Sequence, residues 1–394
     1  MKKMKRMKNL MKPVVGAAVA ATMALGLVAC GGSNEGASAP SESNDGGGDK
    51  TEAIEEMRLR ASSGVTAKHF WDRGFFTPLM ERIDSETNGA ISFEAFTSGE
   101  LVPLGTEFDA LRQGTIDIAL TFMAPYDPQR FPYSEVTMLP LLESDAVIAS
   151  TAMQNMMKSD RELKDGKTYY EIEFADKGLV AFANPLTEPY VLGTTRQKIE
   201  NVSDFSEAIR LRTASRVHEI LADNLGITAI SMPITDAYDA LSRNALDGFF
   251  YNIPDWKAFG FDELIKHAVE GANFGHFVGH TAMTQETWDK LPADVQEKFK
   301  AAADEIIFDG ASLTRDETDE NRDSTMEKGG EFTHLNDLDP ELREFINQAI
   351  VDTWVEWIEN LEGQGHAGKE MALLWRDMIV EAGGVLPQEI MDME

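Results

Sequence analysis

Cysteine is nearly missing from this chain: of 394 residues only Cys30 is one. An internal disulfide and a cysteine-ligated zinc site are excluded together. Basic residues are also scarce, 36 Lys+Arg against 67 Asp+Glu, for a formal net charge of −31 at pH 7. A chain this acidic lacks the positive footprint that nucleic-acid binding requires. The acidity serves solubility and does not forbid an anionic ligand, because exposed charges are screened beyond about 8 Å at physiological salt. A local arginine decides that question instead. Long apolar runs are missing apart from residues 14–29, which fall short of a bilayer span. Phosphate-binding glycine loops, activated-serine motifs and acidic loops with calcium-ligand spacing are not found either, so neither cofactor nor metal is expected.

What is present divides near residue 55. Lys2, Lys3, Lys5, Arg6, Lys8 and Lys12 precede the apolar run from Val14 to Ala29, and residues 1–29 read as a secretory signal. The run is too short and too rich in Ala and Gly for a membrane anchor. It ends in Leu27-Val28-Ala29-Cys30-Gly31, which resembles the bacterial lipoprotein cleavage box. A lone thiol in an exported chain is either a free reactive group or a specially used one. The position of Cys30 favours lipid attachment, in which acyl chains contribute about 0.8 kcal/mol per buried CH₂. Residues 30–55 turn to Gly, Ser, Asn, Asp, Glu and Pro, the composition of a flexible linker. The expected product is exported and lipid-anchored, at the outer face of the cell membrane or in the periplasm.

The remainder is long enough for two domains, and 43% hydrophobic residues allow real cores. Residues 57–63 alternate apolar and polar as a strand; Phe76, Leu79, Met80 and Ile83 follow at helical spacing; Ile91–Phe96 is a second strand, Thr106–Gln113 a helix and Ile116–Phe122 a third strand. This β-α-β-α-β order predicts an α/β sheet, in which ligands bind beyond the carboxyl ends of strands. Ser62, Ser63, His69 and residues 100–107 and 122–126 are thereby nominated, with Trp71 and Tyr126 the aromatics expected in the cleft. Glu107 suits the positive end of a helix as well as it suits a ligand. Residues 178–184 predict a buried strand that carries the chain into a second half, where strand and helix patterns alternate again.

In that second half Arg212 stands at a strand end, where a guanidinium can grip a carboxylate in a two-pronged fork. Its alternative is an ion pair with one of the many acidic residues. Tyr251 and Asn252 are neighbours on another predicted strand, so only one of them faces inward. His276 and His280 fall in an extended pattern that separates them by about 13 Å, too far for one zinc ion, and a structural role is expected. Ile350, Val351, Trp354, Val355 and Ile358 form a helical stripe read as lobe packing.

Asn88-Gly89, Gly99-Glu100-Leu101, Leu104-Gly105, Leu111, Gly114 and Asp117, with Arg130-Phe131-Pro132 and Leu139-Pro140-Leu141-Leu142, are similar to the first-domain signature of the TRAP transporter substrate-binding proteins. Tyr190 to Trp256 resembles the family's core, and the likeness spans about Glu56 to Gly384. The resemblance implies an α/β, two-lobed periplasmic-binding-protein-like fold with hinge strands and a long C-terminal helix bracing both lobes. Lobe I would hold 56–178 plus 268–300, lobe II 179–267, and a helical part 301–394 would span both. It also implies a function without catalysis: capture of a small organic acid and its delivery to TRAP membrane subunits. Arg212 would clamp the carboxylate; Tyr190, Tyr251, Asn252 and Trp256 would shape the rest, with Trp71, Tyr126 and Glu107 from lobe I. Two departures matter. Pro185–Tyr190 replaces the family's second ligand-facing arginine, and Phe249, Phe250 and Tyr251 stand where polar residues are usual, which implies fewer anionic groups or an aromatic body in the ligand. A further departure is Val102-Pro103, inserted before Leu104-Gly105. The alternatives are a binding protein of an ATP-driven (ABC) importer or a sensor, and a secreted hydrolase.

Overall fold

The alternation in Met57–Ser62 buries Leu59 and Ala61 and leaves Arg58 in solvent, and this strand, β1, founds the first of two sheets. A computed structural model describes residues 54–394; the expected signal segment, Cys30 and residues 30–53 of the expected linker lie outside the described residues. After β1 come a π-helical turn (Asp72–Phe76), α1 (Thr77–Glu86), β2 (Ile91–Phe96), α2 (Glu107–Arg112) and β3 (Ile118–Phe122), with β2 and β3 both parallel to β1. The chain continues through α3 (Ala146–Met157), a hairpin of β4 (Glu162–Lys164) and β5 (Lys167–Thr168), α4 (Tyr169–Glu173) and β6 (Leu179–Ala183).

The second sheet repeats the plan. It holds β7 (Tyr190–Thr194), then β8 (Arg210–Thr213), α5 (Arg216–Asn224), β9 (Thr228–Ser231), α6 (Ile234–Ser242) and β10 (Gly248–Asn252), followed by the short α7 (Trp256–Phe259) and β11 (His267–Glu270). The repetition extends to side chains. Arg60 on β1 holds Asp117 ahead of β3 through Nε at 3.0 Å, and Arg210 on β8 holds Asp247 ahead of β10 through Nε at 2.9 Å. Each arginine also donates to the turn carbonyl before its aspartate, Gly114 at 2.8 Å and Asn244 at 2.9 Å. The two parallel cores are therefore locked by the same device.

The chain returns to the first sheet as β12 (His280–Thr284), whose order is β2-β1-β3-β12-β6; the second reads β13-β11-β7-β10-β8-β9 once β13 (Glu331–His334) is added. Pairing of β6 with β12 along Leu179–Ala183 puts that strand in the first sheet, and β11 belongs to the second. The changes of sheet thus fall in 184–189 and 271–279, later than the boundaries 178/179 and 267/268 expected from sequence. The expected helical tail likewise contributes an edge strand, β13, which pairs with β11.

The two crossing segments bond to each other: Asn184 N–H donates to Gly279 O at 2.9 Å, Thr187 N–H to Phe277 O at 3.2 Å and Tyr190 N–H to Gly275 O at 2.9 Å. This two-stranded ribbon is the hinge. Gly275 is required in it, because its φ is +89° and a Cβ there would lie 2.3 Å from Met138 O. Helices close the structure. After α8 (Gln285–Asp289), the long α9 (Ala293–Asp316) packs on α1 and α3, and α10 (Thr318–Glu327) packs beside the second sheet. Then α11 (Pro340–Gly363) packs on α5 of one half and on α12 (Gly368–Glu381) and Pro140 of the other, where Trp354 Nε1 donates to Pro140 O at 2.7 Å. This is the expected brace.

Candidate functional site

Arg212 is the third residue of β8, and strands on both sides hold its side chain inside the molecule, at 0% exposure. Its Nε donates to Met232 O at 2.9 Å and its Nη2 to Tyr126 Oη at 3.0 Å. Nη1 is buried and has no partner among the described residues, and no carboxylate there pairs with this guanidinium. A buried guanidinium that stays charged and lacks an anion is costly, so its fixed edge is suited to an anion from outside.

Tyr126 comes from the first sheet, in the turn Ala124–Tyr126 that ends β3, so the Arg212–Tyr126 bond spans the cleft between the two halves. Beside that bond lies an open cavity of about 320 Å³, lined by Leu104, Gly105 and Tyr126 of one half and by Ser215, Arg216 and Met232 of the other.

Sheet register decides which neighbours face Arg212. Phe249 lies opposite Arg212, and Tyr251 is two residues further along the same strand and therefore on the same face. The Tyr251 ring lies 5.9 Å from the Arg212 Cζ. Asn252 is one step on and on the opposite pleat, the face it shares with its register partner Tyr190, whose ring at the strand end still reaches the Tyr251 ring at 5.3 Å. It is buried and donates through Nδ2 to Asp255 Oδ2 at 3.0 Å, while its Oδ1 has no partner among the described residues.

Aromatic rings complete the surroundings. Tyr190 packs edge-on to Tyr251 at 5.3 Å and stacks with Phe277 at 6.4 Å; Phe277 also meets Tyr126 at 5.5 Å and Trp71 at 6.4 Å. Trp71 is fixed by its Nε1 bond to Pro185 O at 2.7 Å. Burial pushes the Tyr190 and Tyr251 phenols well above their ordinary range, so both remain neutral. Behind Tyr190, burial lowers the His218 imidazole to about 3, and its Nε2 lies 2.8 Å from Phe274 O.

The structure thus brings together Arg212, Tyr126, Tyr190, Tyr251 and Trp71. Asn252, Glu107 and Trp256 lie outside this group. Glu107, 2% exposed, turns back on its own loop, where both carboxyl oxygens accept from Gly105 N–H at 3.0 and 2.9 Å, and burial raises its carboxyl to about 8. It props the loop beneath Tyr126. Trp256 is fully buried between Phe249 and Phe332, one layer behind Tyr251, because the turn after β10 aims it into the core of its own half.

The pair His276 and His280 is separate from the site. His276 Nδ1 lies 2.7 Å from Thr187 O in the hinge, and His280 is packed on Phe174 at 4.7 Å. Among the described residues no group of three or more His, Cys, Asp or Glu could hold a metal ion. Sequence reasoning did not single out Phe277, Asp255 or the Arg216–Glu135 pair described below. Their signal was positional only: Phe277 sits in the glycine-flanked crossing Gly275–Gly279, and Asp255 directly follows Ile253-Pro254.

Residues 61–357 match the family described as bacterial extracellular solute-binding protein, family 7. The chain belongs to that family. The resemblance to TRAP transporter substrate-binding proteins and the two-lobed α/β fold expected from it are thereby borne out. Members are solute-binding components that work outside the cytoplasm. Among curated relatives, the C4-dicarboxylate-binding periplasmic protein of Rhodobacter capsulatus is 23% identical over 298 residues, covering 74% of this chain and 84% of the relative. Among solved structures, a TRAP solute-binding protein from Rhodoferax ferrireducens T118 with copurified benzoate superposes with a TM-score of 0.71 at 19% identity, covering 83% of this chain and 98% of that one. A marine-metagenome TRAP solute-binding protein specific for aromatic acid ligands, in complex with metahydroxyphenylacetate, gives 0.73 at 20% identity, covering 83% and 100%.

Proposed function

We propose that this family member captures a small carboxylic acid with an aromatic body between its lobes and hands it to TRAP membrane subunits. The observation that carries this reading is Arg212, a fully buried guanidinium whose Nη1 is left without a partner among the described residues. Its single fork suits one carboxylate. Tyr126, Tyr190, Tyr251, Phe277 and Trp71 supply the flat apolar walls an aryl ring needs. Benzoate and metahydroxyphenylacetate on two proteins of the same fold are in keeping with that chemistry.

Closure is a hinge movement about the ribbon formed by 184–189 and 271–279, stabilised by contacts the ligand makes with both lobes. In this reading the protein binds without transforming its ligand, and Cys30 carries the lipid that keeps it at the membrane. No observation favours an ABC importer, a sensor or a hydrolase. Thermal-shift screening of the protein against aliphatic dicarboxylates, 2-oxoacids, aromatic acids and sulfonates tests the proposal. Aromatic monocarboxylates are expected to raise the melting temperature most; a screen in which no acid raises it rejects the reading.

A further inference from the structure

Across the Tyr251 ring from the guanidinium lies a second buried charged side chain, for which a carboxylate clamp has no use. Asp255 is 2% exposed and sits in the turn that ends β10. Its Oδ2 accepts from Asn252 Nδ2 at 3.0 Å and from Tyr251 Oη at 3.3 Å, and His69 Nε2 of the other lobe lies 3.3 Å away. His69 is itself 3% exposed, and its Nδ1 accepts the backbone N–H of Trp71 at 3.1 Å. An Nδ1 used as acceptor leaves the ring proton on Nε2, so the imidazole meets Asp255 as a neutral donor.

All three neighbours therefore converge on one oxygen, and among the described residues nothing donates to Asp255 Oδ1. A carboxylate has about four acceptor sites, and those on Oδ1 are left open to a donor from outside the chain. Its surroundings are the rings of the candidate site: Phe259 packs edge-on to both Tyr251 and His69 at 6.0 Å. The Tyr251 ring thus has a cation at one side, Arg212 Cζ at 5.9 Å, and an acceptor at its hydroxyl, Asp255 Oδ2 at 3.3 Å.

We propose that Asp255 is the distal recognition group of this pocket, and that the ligand is an aromatic acid bearing a hydrogen-bond donor, hydroxyl or amino, on the ring side remote from its carboxylate. This rests on the reading of Arg212 as the carboxylate clamp. An acid without the donor brings a second negative charge into a low-dielectric chamber and leaves Asp255 Oδ1 idle; a donor offsets both. A site built around a buried acceptor rejects the analogue lacking the donor far more strongly than an apolar pocket rejects a missing methylene.

The test is titration calorimetry of the protein and of Asp255→Asn with benzoate and with its 3- and 4-hydroxy, amino and methoxy derivatives. At least one hydroxy or amino acid is expected to bind the unmodified protein about tenfold or more tighter than benzoate and than its methoxy counterpart, and Asp255→Asn to reduce that preference to about threefold, with benzoate binding more tightly than it does to the unmodified protein because the like charge is gone. Tyr251→Phe, which removes a competing donor, keeps or increases the preference; its loss there would assign recognition to Tyr251 and overturn the proposal, and this arm stands even where Asp255→Asn does not fold. Benzoate binding without any donor preference, or a preference that persists in Asp255→Asn, also overturns it. Failure of every acid to bind is a different result, and removes the carboxylate reading on which the proposal depends.

Discussion

Arg212 and Arg216 lie four residues apart, and the fold treats them in opposite ways. Arg216 opens α5, and its Nε donates to Glu135 Oε1 at 2.6 Å while its backbone N–H donates to Glu135 Oε2 at 3.0 Å. Trp357 of the bracing helix adds a third bond to the same carboxylate at 3.0 Å. Glu135, fully buried, thus ties a segment of the first lobe to a helix start in the second and to the brace, with the helix dipole favouring its charge. Arg212 is buried more deeply, at 0% exposure against 15% for the Arg216 side chain, and has no such carboxylate among the described residues. Of two neighbouring arginines, the one without an anionic partner in the chain is therefore the better ligand candidate. Arg216 is paired with an anion the chain supplies, and Arg212 has no such partner among the described residues, which is the ground for proposing that it takes one from outside.

The contrast breaks most visibly at Glu135. Glu135→Gln keeps the shape but leaves the half-buried Arg216 without its charge partner, and a stability loss of about 1.5 to 3 kcal/mol is expected from urea unfolding. A loss below 1 kcal/mol would mean that the junction holds little. Arg212→Ala should act in the opposite sense, because it removes an unpaired buried charge: the ligand-free protein unfolds at the same urea concentration or a higher one. Its affinity for the ligand acid falls roughly ten- to a hundredfold, and Arg212→Lys, which lacks the fork, does not fully restore it. Unchanged affinity in titration calorimetry removes Arg212 from the site.

A smaller effect belongs to the bond that joins Arg212 to the other lobe. Tyr126→Phe deletes the acceptor of Nη2 and should cost about 1 kcal/mol of stability in the ligand-free form. Affinity changes by less than about fivefold, since a bound carboxylate can accept from Nη2 in its place. A loss as large as that of Arg212→Ala would assign Tyr126 a direct part in holding the acid.

The sheets were legible in the sequence because alternation and helical spacing persist through 57–122 and 209–252, and Arg212 was legible because it stands at the end of a short alternating strand. The Glu135 junction was not. Its partners lie 81 and 222 residues away in sequence, and the segment carrying it has no periodicity to read. Trp256 illustrates a different limit: aromatic density says that a residue is buried but not in which layer, and only the turn after β10 places it behind Tyr251. The choice between Tyr251 and Asn252 required the pairing of β10 with β8, which fixes the pleat. The sheet changes were read early for the same reason, since a strand's sheet is decided by its partner.

The smallest expected effect concerns Glu107, which is the counterpart of Arg212 with the charge reversed. It is a buried carboxyl with no cation beside it among the described residues, and burial raises it from an ordinary value near 4.5 to about 8. The folded protein then keeps a proton that the unfolded chain releases above about pH 4.5. The resulting stability is fully present below that pH and is lost as the pH rises through about 8. Glu107→Gln removes this titration while retaining an acceptor for Gly105 N–H, so urea midpoints measured at pH 5, 6.5 and 8 should decline less steeply than in the unmodified protein; parallel declines reject the assignment. Glu173 and Glu188, both raised to about 7 by burial, keep part of the slope. The acid side is set by His218 and His280, lowered by burial to about 3, and by His276, lowered to about 4, whose contributions are lost as the pH falls below about 6.5, and the substitution leaves them untouched. Glu107 thus relieves its isolation by binding a proton. A guanidinium, which cannot lose its proton at any pH the protein meets, has no such escape, and that is why the unpaired charge at Arg212 calls for an anion from outside.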